Sequence, residues 1–478
     1  MVFSSLIFVY AFLPLSLIAY ALCRSLRAKN ISLLVFSLIF YAWGEPKYVL
    51  LLMLMAATDW FCALQIDFSE QPGVRKAWLI LAVFIDLMLI GVFKYAGLVC
   101  SLFGEIPDLV RRITLPIGIS FYTFQLLTYV VDVYRGDAES EREYWHVLLY
   151  AALFHQCVAG PIVRYNSIAE ELFIDRSGAD ELTDGIRRFT CGLAKKALLA
   201  NPCGALVDAV LLTDATASDP SLFLENLGRL QGVTVLGAWM GMAAFMLQIY
   251  LDFSAYSDMA IGMGKVLGLH YPENFNYPYA AASVTEFWRR WHISLSSFFR
   301  DYVYIPLGGN RCSLPRNILN TFVVWALTGL WHGASWNFVL WGLYWFVFLM
   351  IERFFLKPLL GRLRVLPHLY LILVVFVGWI LFRFTDVRLG WTVLRGLFGL
   401  NGNAAADFVS TTMLENNMFL LIVSAVACTP LPKLLSERLA VSGIWDGCRR
   451  SLVPILLLLL STCALVGESY NPFLYFQF

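Results

Sequence analysis

NILNTFVVWALTGLWHGASWNFVLWGLYWFVFLM, residues 317–350, decides how this chain folds. It holds thirty-four residues and no Asp, Glu, Lys or Arg. One helix of that length would run ~51 Å at ~1.5 Å per residue, too long for a single crossing of a ~30 Å hydrocarbon core. Basic residues stand at both ends, Arg311 and Arg316 before it and Arg353 and Lys357 after it. Basic loops mark the cytoplasmic side, so both ends are expected there. The stretch therefore reads as a helical hairpin that enters and turns back. Its midpoint is near Gly333, and GLWHGAS, residues 329–335, is the expected turn, with glycines permitting the bend. Broken backbone at membrane depth is tolerated only inside protein or along a wet cavity. That places His332 at the end of a cavity within the membrane.

The rest of the chain supports the same setting. Of 478 residues, 59% are hydrophobic and only 14% charged, and mean hydropathy is +0.68. Soluble domains carry about 25% charged residues. An all-α polytopic membrane protein follows, because helices satisfy their own backbone in lipid. Apolar spans begin at Val2, Ile31, Tyr48, Ala77, Ile113, Trp145, Phe189, Val233, Leu369, Met418 and Val453. No internal repeat or long linker interrupts them, so a single domain over 1–478 is expected. At the N-terminus positive charge follows the first apolar run, at Arg24, Arg27 and Lys29. That pattern marks a retained span with its N-terminus outside rather than a signal peptide. Arg75, Lys76, Lys195, Lys196, the segment 265–316, Arg362 and Arg364 are assigned to the cytoplasm. Loop 213–230, with Asp214, Asp219 and Glu225, is assigned to the outside.

A net charge of +1 gives no field for nucleic acid. Ten cysteines without CxxC spacing form neither a metal-ligand pattern nor a disulfide framework, so no metal is expected. GxSxG, Walker and GxGxxG motifs are missing as well, which disfavours a serine hydrolase and a nucleotide-driven pump.

The ionisable residues within apolar sequence carry the chemistry. His332 reads either as a packed histidine bonded to a carbonyl or as a functional group, and ionisable residues at membrane depth are functional candidates by default. Desolvation favours its neutral form, the one a general base needs. In FWRRWHISLSSFFRDYVYIPLGGN, 287–310, Trp288, Trp291, Leu295, Phe298 and Tyr302 recur at helical spacing. Arg289, His292, Ser296 and Arg300 form the adjacent polar stripe. The stripe is either an interfacial anchor or a cationic rim with His292 facing a cavity, where arginines, Arg290 included, hold donor phosphates. Asp252 and Asp258 interrupt another apolar run and need partners, with arginines expected. His155 reads either as a cavity-lining group or as a satisfied core histidine, with the second favoured. A transporter or flippase relaying protons through Asp252, Asp258, His292 and His332 is the rival reading, and the lack of repeats counts against it.

Several stretches together resemble the membrane-bound O-acyltransferase (MBOAT) superfamily, closest to its bacterial alginate O-acetyltransferase-like branch. They are MVFSS at the start, YAW at 41–43, LPIGISFYTFQLLTYVVDVYRG at 115–136, VAGPI at 158–162 and LDFSAYSDMAIG at 251–262. YPENFNYPYAAASVTEFWRRWHISLSSFFRDYVYIPLGGNR at 271–311, TGLWHGASWNF at 328–338 and the ending NPFLYFQF complete the set. The resemblance implies a bundle of roughly 11–13 membrane helices, some re-entrant, around a funnel and a tunnel. It implies that His332 and His292 are the catalytic pair, with Trp331 and Asn337 beside His332 as supporting residues. It also implies an acetyl donor, acetyl-CoA or an acyl carrier, with no bound cofactor, and an extracytoplasmic acyltransferase partner that modifies a surface polysaccharide. Sister branches transfer D-alanine to teichoic acid or acetylate peptidoglycan or cellulose. On this expectation His332 activates a hydroxyl or transiently accepts the acyl group, and His292 orients or stabilises the thioester carbonyl.

Overall fold

The computed structural model describes residues 1–104, 106–174, 179–360, 364–440 and 443–467. The ending NPFLYFQF and Arg362 lie outside them, as do the side chains of Asp214 and Lys357. Among the described residues every regular element is helical. Eight helices among these residues are long and apolar enough to cross a membrane. Expected starts at Ile31, Tyr48, Ala77, Val233, Leu369, Met418 and Val453 fall on or beside seven of them. Those at Val2, Ile113, Trp145 and Phe189 fall on or near shorter helices. Contacts divide the chain into two compact units. The first is mainly Met1–Gly192 with Tyr256–Glu273, the second mainly Leu193–Ala255 with Asn274–Ala464.

In the first unit, Leu26–Gly44 (α1), Val49–Phe68 (α2) and Pro72–Phe103 (α3) are candidate spans. Ile119–Arg135 (α4) packs against α2 and α3, and Tyr144–Ala152 (α5) packs against α1 and α2. Helix α2 carries large apolar residues on both its sides. It buries Leu52, Met55 and Ile66 on one side and leaves Leu50, Leu54 and Phe61 exposed on the other. Such a helix suits a hydrocarbon surround, not water. His155 is fully buried here, with its Nδ1 2.5 Å from the Tyr271 hydroxyl. It is a buried histidine with a hydrogen-bond partner at Nδ1. Asp258 also belongs to this unit, 2.8 Å from Arg188, which also binds Glu273.

The second unit holds Asn201–Val210 (α6), the part of Val235–Val266 (α7) up to Ala255, and the short helices Val284–Arg290 (α8) and Ile293–Phe299 (α9). Leu314–His332 (α10), Trp336–Ile351 (α11), Leu366–Arg383 (α12) and Phe408–Ala427 (α13) complete its main bundle. The expected hairpin is α10 and α11, with only residues 333–335 between them.

The glycines serve this hairpin differently from expectation. Gly333 has φ −178°, an extended conformation open to any residue. What excludes a side chain is space, since a Cβ there would stand 2.2 Å from the Phe338 ring. A Cβ on Gly329 would lie 2.4 Å from the Phe338 carbonyl oxygen, and one on Gly342 would lie 2.4 Å from that of Trp325. Small residues thus let the two backbones approach closely. Both obstacles at Gly329 and Gly342 are backbone, so no rotamer change relieves them. Gly342→Ala is expected to cost about 1–3 kcal/mol through overpacking, read as a lower midpoint in detergent thermal unfolding. An unchanged midpoint would show that the helices can separate freely.

Candidate active site

The site is built where α8, α9 and the α10–α11 hairpin meet in the second unit. The sequence suggested a helix through the recurrence from Trp288 to Tyr302. The structure breaks it at Trp291–His292. Trp291 is extended, and His292 adopts the left-handed region at φ 44° and ψ 55°. A non-glycine residue there costs about 1–3 kcal/mol, and the surroundings impose it. Ile293 N donates to the Asn274 carbonyl at 2.9 Å, and Asn276 N donates to the Arg290 carbonyl at 2.9 Å. Segment 274–276 thus takes up backbone groups at the break.

This break turns His292 out of the polar stripe. The ring is buried, with Phe253 of α7 edge-on at 4.8 Å and Trp331 of α10 at 5.5 Å. Its Nδ1 lies 3.1 Å from Asn274 Oδ1. Burial pushes its pKa down to about 3, so it is neutral across the physiological range.

His332 ends α10 and is 4% exposed. Its ring centroid lies 5.0 Å from Trp331, 4.8 Å from Trp341 and 5.2 Å from Phe382. Both histidines therefore contact the Trp331 indole. Asn337 pins the second arm of the hairpin, donating to the Leu381 carbonyl at 3.2 Å and accepting from Ser335.

A cavity of about 530 Å³ opens beside this cluster, with Trp288, Arg289, Ser296, Arg300, Trp325 and Thr328 in its wall. Neither histidine is among its described lining residues. The link runs along α10. Thr328 and His332 are four residues apart on one helical face, about 6 Å along the axis. The arginines differ. Arg290 turns away to Glu286 at 2.6 Å, and Arg300 binds its neighbour Asp301 at 2.6 Å. Arg289 is exposed in the cavity wall and has no acidic partner among the described residues. Ser296 donates to the Trp288 carbonyl at 3.2 Å, bridging α9 to α8. Asp252 is held by Lys196 at 2.8 Å rather than by an arginine.

Two contributors carried no sequence signal. Asn274 sits in a loop eighteen residues before His292. Glu352, buried beyond α11, accepts from Val284 N at 2.5 Å and from Thr285 N at 3.1 Å, fixing the start of α8.

The family profile described as MBOAT, membrane-bound O-acyltransferase family, matches residues 142–390, more than half of the chain and all of the cluster just described. The chain belongs to this family. It is thus a multi-pass membrane O-acyltransferase. The acyltransferase is 34% identical to a probable alginate O-acetylase AlgI of Azotobacter vinelandii, over 100% of both chains. It is 38% identical to the probable alginate O-acetylase AlgI of Pseudomonas aeruginosa, over 83% of this chain and 75% of the relative. A peptidoglycan O-acetyltransferase of Helicobacter pylori is 30% identical, over 84% of this chain and 80% of the relative.

Proposed function

We propose that this acyltransferase takes an acetyl group from acetyl-CoA on the cytoplasmic side and passes it across the membrane. The acetyl group goes toward O-acetylation of an extracytoplasmic polysaccharide of the alginate type, with an extracytoplasmic acyltransferase as partner. The observation that carries the reading is the match over the full length of both chains with an alginate O-acetylase. On this reading the protein lies in the bacterial inner membrane with its N-terminus outside.

Arg289, the cavity-wall arginine without a carboxylate, takes the donor's phosphates. The thioester arm enters the apolar cavity and reaches along the Thr328 face of α10 toward His332. An acceptor hydroxyl attacks the thioester carbonyl while His332 takes its proton. The C–S bond breaks, the ester forms, and the departing thiolate takes up the proton. Ester and free thiol are the products. His292 supports the same step from across the Trp331 indole.

Vesicles containing the protein are expected to consume acetyl-CoA in the presence of acceptor glycan and partner, and not D-alanyl carrier protein. Consumption of the carrier-bound donor alone would overturn the choice of donor. Because a charge-assisted hydrogen bond contributes ~1.5–3 kcal/mol, Arg289→Gln is expected to raise the KM for acetyl-CoA about tenfold. The maximal rate falls less. Arg290→Gln, whose arginine is already paired on the surface, is expected to change KM by no more than about twofold. An Arg289→Gln enzyme with unchanged KM would put the phosphate site elsewhere.

A further inference from the structure

Asn274 is buried completely, yet its side-chain oxygen is crowded with polar neighbours. Ser294 Oγ lies 2.9 Å from Oδ1, Ser294 N 3.3 Å from it, and His292 Nδ1 3.1 Å from it. A backbone N–H only donates. The atom it points to must therefore be the amide oxygen, and the orientation of the Asn274 amide is settled by chemistry. The Ser294 hydroxyl has one proton and a nearer acceptor in Asn274 Oδ1, since His292 Nδ1 is 3.4 Å away. Two lone pairs facing each other across 3.1 Å would repel, so His292 Nδ1 must carry the hydrogen.

We infer that Asn274 is a positioning residue that holds His292 as its Nδ1–H tautomer, with the lone pair on Nε2. His292 then accepts a hydrogen bond during acyl transfer and does not donate one. This rests on the proposed acyl transfer for its use, but not for its geometry. A lone pair on Nε2 cannot stabilise a thioester carbonyl, which replaces the role expected for His292 from resemblance. Its chemical complement is an N–H or O–H group that approaches it during the transfer step. The left-handed backbone at His292 fits the same purpose. It carries the ring off the α8 stripe and onto Asn274 while Asn274 O receives the next backbone N–H.

Among the described contacts, the groups facing His292 are Phe253 of α7, Trp331 of α10, Asn274 of the 274–276 loop and Ser294 of α9. None is charged. An added carboxylate would change that. In Asn274→Asp the carboxylate still accepts from Nδ1 and stabilises the imidazolium, whose Nε2 is protonated and can no longer accept. The raised pKa means that activity is present above it and lost as pH falls through it. An acid limb missing from the wild type is therefore expected between about pH 5 and 7. Asn274→Ala, which frees the tautomer, is expected to lower kcat about tenfold, with KM for the donor within about twofold. A residue that merely held the loop would lower the amount of folded enzyme and leave the pH profile unchanged.

The tautomer itself is read without any activity. Protein labelled with ¹⁵N-histidine is compared with His292→Gln to assign the ring signals in membranes at neutral pH. A protonated Nδ1 and an unprotonated Nε2 are expected, whether or not the acyl donor is correctly identified. A protonated Nε2, or an imidazolium, would overturn the inference. So would an Asn274→Asp enzyme with a wild-type pH profile.

Discussion

Replacing His332 with alanine is expected to abolish acyl transfer while leaving a protein that inserts and stays monodisperse. The ring is 4% exposed and packed among Trp331, Trp341 and Phe382. Water is therefore a poor substitute for its nitrogen, and general base catalysis contributes about 10²–10⁴-fold. A fall of at least about a thousandfold in acetyl-CoA turnover is expected. The stability cost is smaller. The variant leaves a void at a helix end among rigid aromatic rings, while the close contact of α10 with α11 through Gly329 and Gly342 is untouched. Size-exclusion profile and glycan acetylation in cells are measured together. Near-normal acetylation by the variant would remove His332 from the chemistry. Loss of the folded peak would shift the test to His332→Gln, which keeps most of the volume. If His332→Gln folds and transfers acetyl at the wild-type rate, the assignment fails.

Much of this site was legible because the governing quantities are local. The hairpin followed from a charge-free length and basic residues at both ends, and α10 and α11 turn within three residues of the expected midpoint. Trp331 and His332 lie at that turn for the same reason. What stayed hidden depends on distant groups. The break at Trp291–His292 is imposed by backbone bonds from segment 274–276, and the apolar recurrence runs through it unchanged. No periodicity marks Asn274 or Glu352, whose roles come from where a loop and a helix end return. The division of labour between Arg289 and Arg290 did have a signal. Glu286 and Arg290 are spaced i, i+4, the helical pairing distance, and they pair.

The acidic residues in apolar sequence are either structural partners or part of a proton relay, and Asp252 is the one to test. Its carboxylate lies 2.8 Å from Lys196 Nζ, with the two side chains 2% and 5% exposed. Removing one partner of a buried pair costs about 3–5 kcal/mol, because the other is left as an uncompensated buried charge. Against a typical total of about 5–15 kcal/mol, Lys196→Met is expected to deplete the folded protein severely. Replacing both charges removes the penalty, and apolar replacements of buried pairs are often neutral. Lys196→Met/Asp252→Leu is therefore expected to recover the folded protein and, with it, most of the acetyl transfer. A proton relay predicts the opposite, since its carboxylate must change protonation in every cycle. There the double variant would fold and remain inactive. Folded yield from fluorescence-detected size exclusion, set beside acetyl-CoA turnover per folded molecule, distinguishes the two. Recovery of both shows that Asp252 holds the second unit together while His332 does the chemistry. Recovery of the fold alone would draw Asp252 into the mechanism of acyl transfer.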